Sequence, residues 1–179
     1  MLSRVRALLH TPEPPALGPE VRPHAQAADT LNLALGDLAR EGGWPPLQAA
    51  TIRAAVLLWH DHLEAAHRVV QDLEHPDAHW VHALMHRREP DYANAKYWYR
   101  RVGAHPGYRL LATSAGQFLE QAGQAELARR LLPNGCWDPL AFVDECHLWA
   151  DLAPSEPRVL QARELQRLEF DALFHHLCP

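Results

Sequence analysis

Apolar spacing across residues 47–73 predicts a helix with one buried face. The segment contains no glycine or proline, and its apolar side chains recur at alternating steps of four and three residues. This is the period of an amphipathic α-helix. The stripe consists of Ile52, Val56, Trp59, Leu63, Ala66, Val70 and Leu73. We therefore predict one continuous helix here, which ends before Pro76.

Helix start and stop signals divide the rest of the chain. Asp91 can cap a helix over residues 92–102 that Gly103 ends, and Asp138 with Pro139 can open another. No β-type alternating run and no internal repeat is present. The prediction is an all-α fold, a compact bundle of about seven helices in a single domain over residues 25–179. Residues 1–24, rich in proline, are predicted to form an extended N-terminal arm.

Length, charge and cysteine content exclude several classes of protein. A chain of 179 residues suggests one domain. The net charge of −5 argues against a general nucleic-acid binder, which needs a basic face. No apolar run approaches the ~20 residues that span a bilayer, and the N-terminus lacks a signal-peptide core. The three cysteines form no C-x-x-C pair and are predicted to be reduced thiols. We predict a cytoplasmic protein with no membrane partner; its oligomeric state is left open.

Histidines are concentrated in one part of the chain. Of the 13 in the sequence, eight lie between His60 and His105. On a continuous helix, His60, Glu64 and His67 would share one face beside the apolar stripe, and His62 would lie on the other side of that stripe. Asp61 would point away from it.

These residue types at this spacing indicate a metal site. Glu64-x-x-His67 has the spacing of a ligand pair in di-iron bundles, but the second pair that such a site needs is missing. A single divalent zinc, iron or manganese ion, held by two or three histidines and a carboxylate, fits better. The predicted ligands are His60, His62, His67, His82 and His86. Metal-free catalysis and a purely structural role for these histidines remain open alternatives.

The following helix carries a second group of histidines. His79, His82 and His86 share one face, and the last two have the i, i+4 spacing that lets two imidazoles bind one metal. The apolar residues lie on the opposite side. Either this face meets solvent, or the helix is buried on both sides. If the turn at residues 74–76 folds the helix back onto the first one, the two groups of histidines can meet.

A stretch of cations and aromatic residues follows the histidines. Its positive charges, with His105, are predicted to hold a small anionic ligand that bears a phosphate or carboxylate. The predicted contacts are Arg87, Arg88, Lys96, Arg100, Arg101 and His105. The alternative is a solvated face whose arginines pair with Glu89 and Asp91. Single-stranded nucleic acid could use the same mixture, but the overall acidity argues against it.

Three blocks of sequence resemble a known group of proteins. The strings WHDHLxxxH and MHRREPDYxNxKYWxRRVGxHP cover residues 59–106, and WDPxAFVD covers residues 137–144. Together they are similar to an uncharacterised family of small bacterial and fungal proteins. The resemblance implies no activity. It implies that the family motif includes His60, His62, His67, His82, His86, Arg87, Arg88, Glu89, Asp91, Asn94, Lys96, Arg100, Arg101 and His105, whereas His79 falls outside it.

Three functional hypotheses follow from the sequence. The leading one is a metal-dependent hydrolase of a small anionic substrate, with Glu64 or Glu89 as ligand or general base. The second is a non-catalytic helical module that binds an anionic small molecule or peptide. The third is a purely structural or interaction domain, whose histidines are scattered surface and core-edge groups; burial of His60 and His67 against backbone carbonyls would favour it.

Overall fold

The computed structural model describes residues 1–178, and every regular element in that range is helical. The ten α-helices are α1 (Leu2–Leu8), α2 (Ala28–Gly42), α3 (Pro46–Trp59), α4 (Leu63–Val70), α5 (Pro76–Arg88), α6 (Tyr92–Val102), α7 (Gly107–Gln121), α8 (Ala125–Leu131), α9 (Pro139–Leu148) and α10 (Pro157–Leu177). A 3-10 turn, Pro133–Gly135, links α8 to α9. The all-α prediction is confirmed. The predicted count of about seven helices is wrong, in part because α1 was missed and residues 47–73 form two helices.

The continuous helix predicted over residues 47–73 is broken at Asp61. Helix α3 ends at Trp59 and α4 begins at Leu63, and Asp61 between them has a φ of 65°. Its carboxylate is buried and accepts hydrogen bonds from Arg22 Nε and Arg88 Nη2, each at 2.8 Å. Aspartate visits the left-handed region more readily than most residues. Two long-range ion pairs therefore outweigh the local preference for a continuous helix.

The charges around Asp61 also settle its protonation. Burial by itself raises the pKa of a carboxyl group, but the hydrogen bonds from Arg22 and the charge of Arg88 outweigh burial here. The pKa of Asp61 consequently lies below its usual value. The expectation that Asp61 points away from the buried face was wrong, because the break in the helix turns it inward.

Helix α5 lies at the centre of the fold. Every residue from Ala78 to Arg88 is buried, and the helix packs against α3, α4 and α6. Its apolar side enters the hydrophobic core through Trp80, Val81 and Leu84, and its histidine side faces α4 and α6. Of the two alternatives for this helix, burial on both sides is the one observed.

The N-terminal segment packs against the helical body. It begins with α1, and Val5 and Leu9 belong to the core. Further along, Gln166 Nε2 donates hydrogen bonds to Pro15 O at 3.2 Å and Ala16 O at 3.1 Å. Residues 1–24, predicted to be an extended arm, thus contain a helix that packs against α2, and only the part around residues 13–16 contacts α10. None of the helices described in residues 1–178 combines the length and hydropathy that a membrane span requires.

Candidate metal centre

Three histidines from two helices converge beside the core. His67 comes from α4, and His82 and His86 come from α5. One ring nitrogen from each lies within 4.8 Å of the other two. The ring centroids of His67 and His82 are 4.7 Å apart, and those of His82 and His86 are 4.8 Å apart. Three imidazoles at this separation can share one metal ion.

The local sequence explains how the three rings meet. His82 and His86 are one helical turn apart, so both project from the same face of α5. Pro76 starts α5 immediately after the short link that follows α4, which folds α5 back against α4. The histidine face of α5 therefore meets His67. The sequence predicted that histidines of the two helices could meet if α5 folded back, and His67 is the one histidine of the first group that does so.

His82 is buried, with 2% of its surface exposed, and both of its ring nitrogens lack hydrogen-bond partners among the described residues. The indole of Trp98 on α6 stacks on the ring, with centroids 3.9 Å apart and an interplanar angle of 20°. Burial, with the neighbouring His86 and His67, lowers the pKa of His82 to about 3. The ring is therefore neutral near pH 7 and presents a free lone pair.

His86 has two polar neighbours. Glu89 Oε2 lies 3.2 Å from His86 Nδ1, and Asn94 Nδ2 lies beside the ring, 3.1 Å from His86 Nε2 and 3.4 Å from Nδ1. The carboxylate favours a proton on Nδ1, which leaves the lone pair on Nε2. Burial lowers the pKa of His86 although Glu89 opposes the change. A carboxylate that holds the far nitrogen of a histidine is a common arrangement around metal ligands.

A second group of possible ligands lies at the other end of α5, but its polar atoms are satisfied. His105 Nε2 donates to Asp77 Oδ1 at 2.7 Å, and His105 Nδ1 accepts from the backbone N–H of Gly107 at 3.1 Å. His176 Nε2 lies 3.2 Å from the same Asp77 oxygen. Because the lone pair of His105 already accepts a hydrogen bond, this ring has none free for a metal. The group ties α5, the start of α7 and α10 together.

Two predicted ligands lie elsewhere and contact backbone groups. His60 Nε2 is 2.7 Å from Leu8 O, and His60 Nδ1 accepts from the N–H of Gln26 at 3.1 Å. His62 Nε2 is 2.7 Å from Gln26 O. Both rings hold the N-terminal segment against the break between α3 and α4. The structure does not bring them to the other three histidines, because that break ends the shared face that a continuous helix would have given.

The two adjacent arginines of the predicted anion site are buried in ion pairs. Arg87 is 1% exposed, and its Nη2 donates to Glu169 Oε2 at 2.7 Å. Arg88 is fully buried, donates to Asp61 and also donates to Leu58 O at 2.6 Å. These guanidinium groups are paired inside the core and do not face a solvent-accessible ligand. The sequence pattern missed this because the acidic partners are distant in the chain.

The other residues predicted to contact an anion or act in catalysis lie on the surface or pair with side chains of neighbouring helices. Lys96 pairs with Asp144, Arg101 pairs with Glu74, and Glu64 pairs with Arg68 on exposed faces. Arg100 is exposed. His105 is buried against Asp77. Glu64 is thus one turn before His67 but is directed to solvent, whereas Glu89 lies beside the centre.

Sequence reasoning did not assign a role to two residues beside the centre. Asn94 entered only as part of the resembled motif, and Trp98 only as one of several aromatic residues. Both lie on α6, four residues apart, so they project from one face of that helix. This spacing is the signal that could have found them.

Comparison with known proteins adds no relative. No family model matches the chain, and neither a curated protein nor a solved structure matches it. The function proposed below therefore rests on the residues of the site.

Proposed function

We propose that the protein binds one divalent transition-metal ion through His67, His82 and His86 and uses it for hydrolysis. The observation that carries the proposal is the pair of unpartnered ring nitrogens on buried His82, within reach of two further imidazoles. A buried polar group without a partner is costly, so such groups are rare in native proteins. A metal ion would bind one nitrogen of each of the three rings, including one of the two unpartnered nitrogens of His82.

The donor set narrows the choice of metal. Three imidazoles suit zinc, iron, copper or nickel, whereas magnesium and calcium prefer oxygen ligands. Of the three ions predicted from the sequence, the nitrogen ligands therefore favour zinc and iron over manganese. Glu89 would orient His86 from outside the ligand set rather than bind the metal.

Hydrolysis is the reaction class that such a centre supports best. Three protein ligands leave at least one position for water, and a bound metal lowers the pKa of that water enough to make it a nucleophile near neutral pH. The metal would also bind an anionic oxygen of the substrate. The metal is needed for this contact because the nearby cations are already paired with acidic side chains: Arg87, Arg88, Lys96 and Arg101. Those pairs also disfavour the alternative of a non-catalytic module that grips an anion with these cations.

Metal content of purified protein tests the first half of the proposal. Tag-free protein prepared without chelator is compared with a His67→Ala/His86→Ala variant by elemental analysis. Exposed His10 supplies the control, since His10→Ala removes an imidazole without touching the centre. We expect about one metal ion per chain in the wild type and in His10→Ala, and none in the double variant. Equal metal content in all three proteins would contradict the proposed ligands.

Activity tests the second half. Wild-type protein reconstituted with zinc, iron or manganese is assayed with p-nitrophenyl phosphate and p-nitrophenyl acetate. We expect metal-dependent turnover of at least one substrate, lost in the double variant. If the protein binds one metal ion per chain but turns over neither substrate, the metal site is supported and the proposed hydrolase activity is contradicted.

A further inference from the structure

Trp98 of α6 packs flat against His82, the most deeply buried of the three proposed ligands. The centroids of the indole and the imidazole are 3.9 Å apart, and the two planes are inclined by 20°. The ring of His86, with its centroid 4.8 Å away and an interplanar angle of 21°, lies nearly parallel to the same imidazole. Two neighbouring rings thus define the plane of the His82 ring.

Hydrogen bonds do not orient His82. A histidine that binds a metal usually donates its other ring N–H to a carboxylate, a backbone carbonyl or water, which fixes the orientation of the ring. His86 has such a neighbour in Glu89, whereas neither ring nitrogen of His82 has a partner within residues 1–178. Ring stacking is therefore the directional contact that is left to orient this imidazole.

The plane of the ring determines where its lone pair points. Both nitrogens of an imidazole direct their lone pair or N–H within the ring plane, so rotation of the ring turns the lone pair away from a shared ion. One nitrogen of His82 already lies within 4.8 Å of a nitrogen of His67 and of one of His86. A ring that keeps this plane before the metal arrives does not have to be ordered when the metal binds.

The indole also suits the charge that a bound metal brings. A metal ion withdraws electrons from the imidazole that binds it, and the electron-rich face of tryptophan attracts a positively charged group stacked on it. The contact between Trp98 and His82 is therefore stronger in the metal-bound protein than in the free one. A phenylalanine would supply a weaker version of the same contact, and an aliphatic side chain none.

Neighbouring side chains hold Trp98 itself in place. The guanidinium carbon of Arg101 lies 5.4 Å from the indole centroid, and Arg101 pairs with Glu74 in the link between α4 and α5. The imidazole of His79 lies against the same indole, with centroids 5.2 Å apart. Because Trp98 is held by residues outside the three-histidine centre, it can impose an orientation on His82.

We infer that Trp98 is a positioning residue of the metal centre, which holds the imidazole of His82 in the plane from which it binds the ion. This rests on the proposed function, because it names what prepares one ligand of that centre. Trp98 does for His82 by stacking what Glu89 does for His86 with its carboxylate. It binds no metal, and its effect passes through His82.

Two substitutions at Trp98 separate stacking from the filling of space. Trp98→Phe keeps a flat aromatic ring, and Trp98→Leu keeps an apolar side chain without one. Trp44→Leu is the matched control, since it removes another partly buried indole, from the link between α2 and α3. Calorimetry measures the affinity for Zn²⁺, the visible absorption of bound Co²⁺ reports the geometry of the ligands, and urea unfolding reports the stability of each variant.

Trp98→Leu should weaken Zn²⁺ binding by about 2- to 13-fold, the cost of ordering one side chain on binding. It should also change the Co²⁺ spectrum, which a loss of stability by itself would not do. Trp98→Phe should recover most of the affinity and the wild-type spectrum, and Trp44→Leu should alter neither. Wild-type affinity and spectrum in Trp98→Leu would overturn the inference, and so would a Trp98→Phe variant as weak as Trp98→Leu.

The wild-type protein supplies a test that does not depend on the folding of a variant. Nuclear Overhauser contacts between the indole protons of Trp98 and the imidazole protons of His82 are recorded by NMR with and without Zn²⁺. We expect the contacts in both states, and their loss on Zn²⁺ binding would overturn the inference. Failure of the wild type to bind any metal would instead overturn the proposed function, and this inference with it.

Discussion

The buried carboxylate of Asp61 offers the sharpest test of how this fold is held together. Asp61 accepts hydrogen bonds from Arg22 and Arg88, whose side chains are 7% and 0% exposed. Asp61→Ala would leave both guanidinium groups buried without their counter-charge. Removing one partner of a buried ion pair costs about 3–5 kcal/mol. This is a large part of the ~5–15 kcal/mol that stabilises a typical domain.

Urea unfolding followed by tryptophan fluorescence measures the effect. With an m-value of about 2 kcal/mol/M, the loss corresponds to a midpoint lower by about 2 M. The matched control is Asp144→Ala, which removes the exposed partner of Lys96 and should cost no more than about 1 kcal/mol. Asp61→Asn keeps an acceptor oxygen and tolerates the positive φ, so it should lie between the two. A midpoint for Asp61→Ala equal to that of Asp144→Ala would refute the reasoning.

Three further predictions follow. The pKa of Asp61 is lowered in the folded state, so its contribution to the free energy of unfolding is present above the unfolded pKa of about 3.9 and is lost as the pH falls through the folded pKa. Asp61→Asn should therefore weaken the loss of stability at acid pH, measured by urea unfolding at a series of pH values. Gly107→Ala should lower the free energy of unfolding by about 1–3 kcal/mol, measured by thermal unfolding, since a Cβ there would lie 2.9 Å from the Trp80 ring and 3.1 Å from His105 Nδ1. In the control Gly36→Ala, the added Cβ meets nothing within 4 Å, so the same measurement should show a neutral or stabilising effect. Glu89→Gln should weaken metal binding by about 10–100-fold in calorimetry without loss of helix content, and unchanged affinity would remove Glu89 from its orienting role.

Helix ends marked by a capping carboxylate, a proline or a glycine were the most predictable part of the fold. Helix α6 runs from Tyr92 to Val102, with Asp91 as its cap and Gly103 after its end, as the sequence predicts. Helix α9 begins at Pro139 behind the capping carboxylate of Asp138. Caps and proline positions act within one turn of the chain, so they can be read from neighbouring residues.

The candidate centre was predictable only in part. The pairing of His82 with His86 follows from their i, i+4 spacing on a helix without regard to any other element. The third histidine depends on which residue of the preceding helix meets that face. The sequence offered His60, His62 and His67, and only the packing of α4 against α5 selects His67.

Helical period, caps and the composition of each face were thus determined by the sequence itself, because they arise from contacts three or four residues apart. The break at Asp61 and the pairing of Arg87 with Glu169 were decided by the tertiary structure. The partners of Asp61 are 39 and 27 residues away, and that of Arg87 is 82 residues away. A pattern of neighbouring residues cannot predict a partner so far away along the chain. A buried charge takes its partner wherever the packing of helices places one, since leaving it unpaired would cost several kcal/mol.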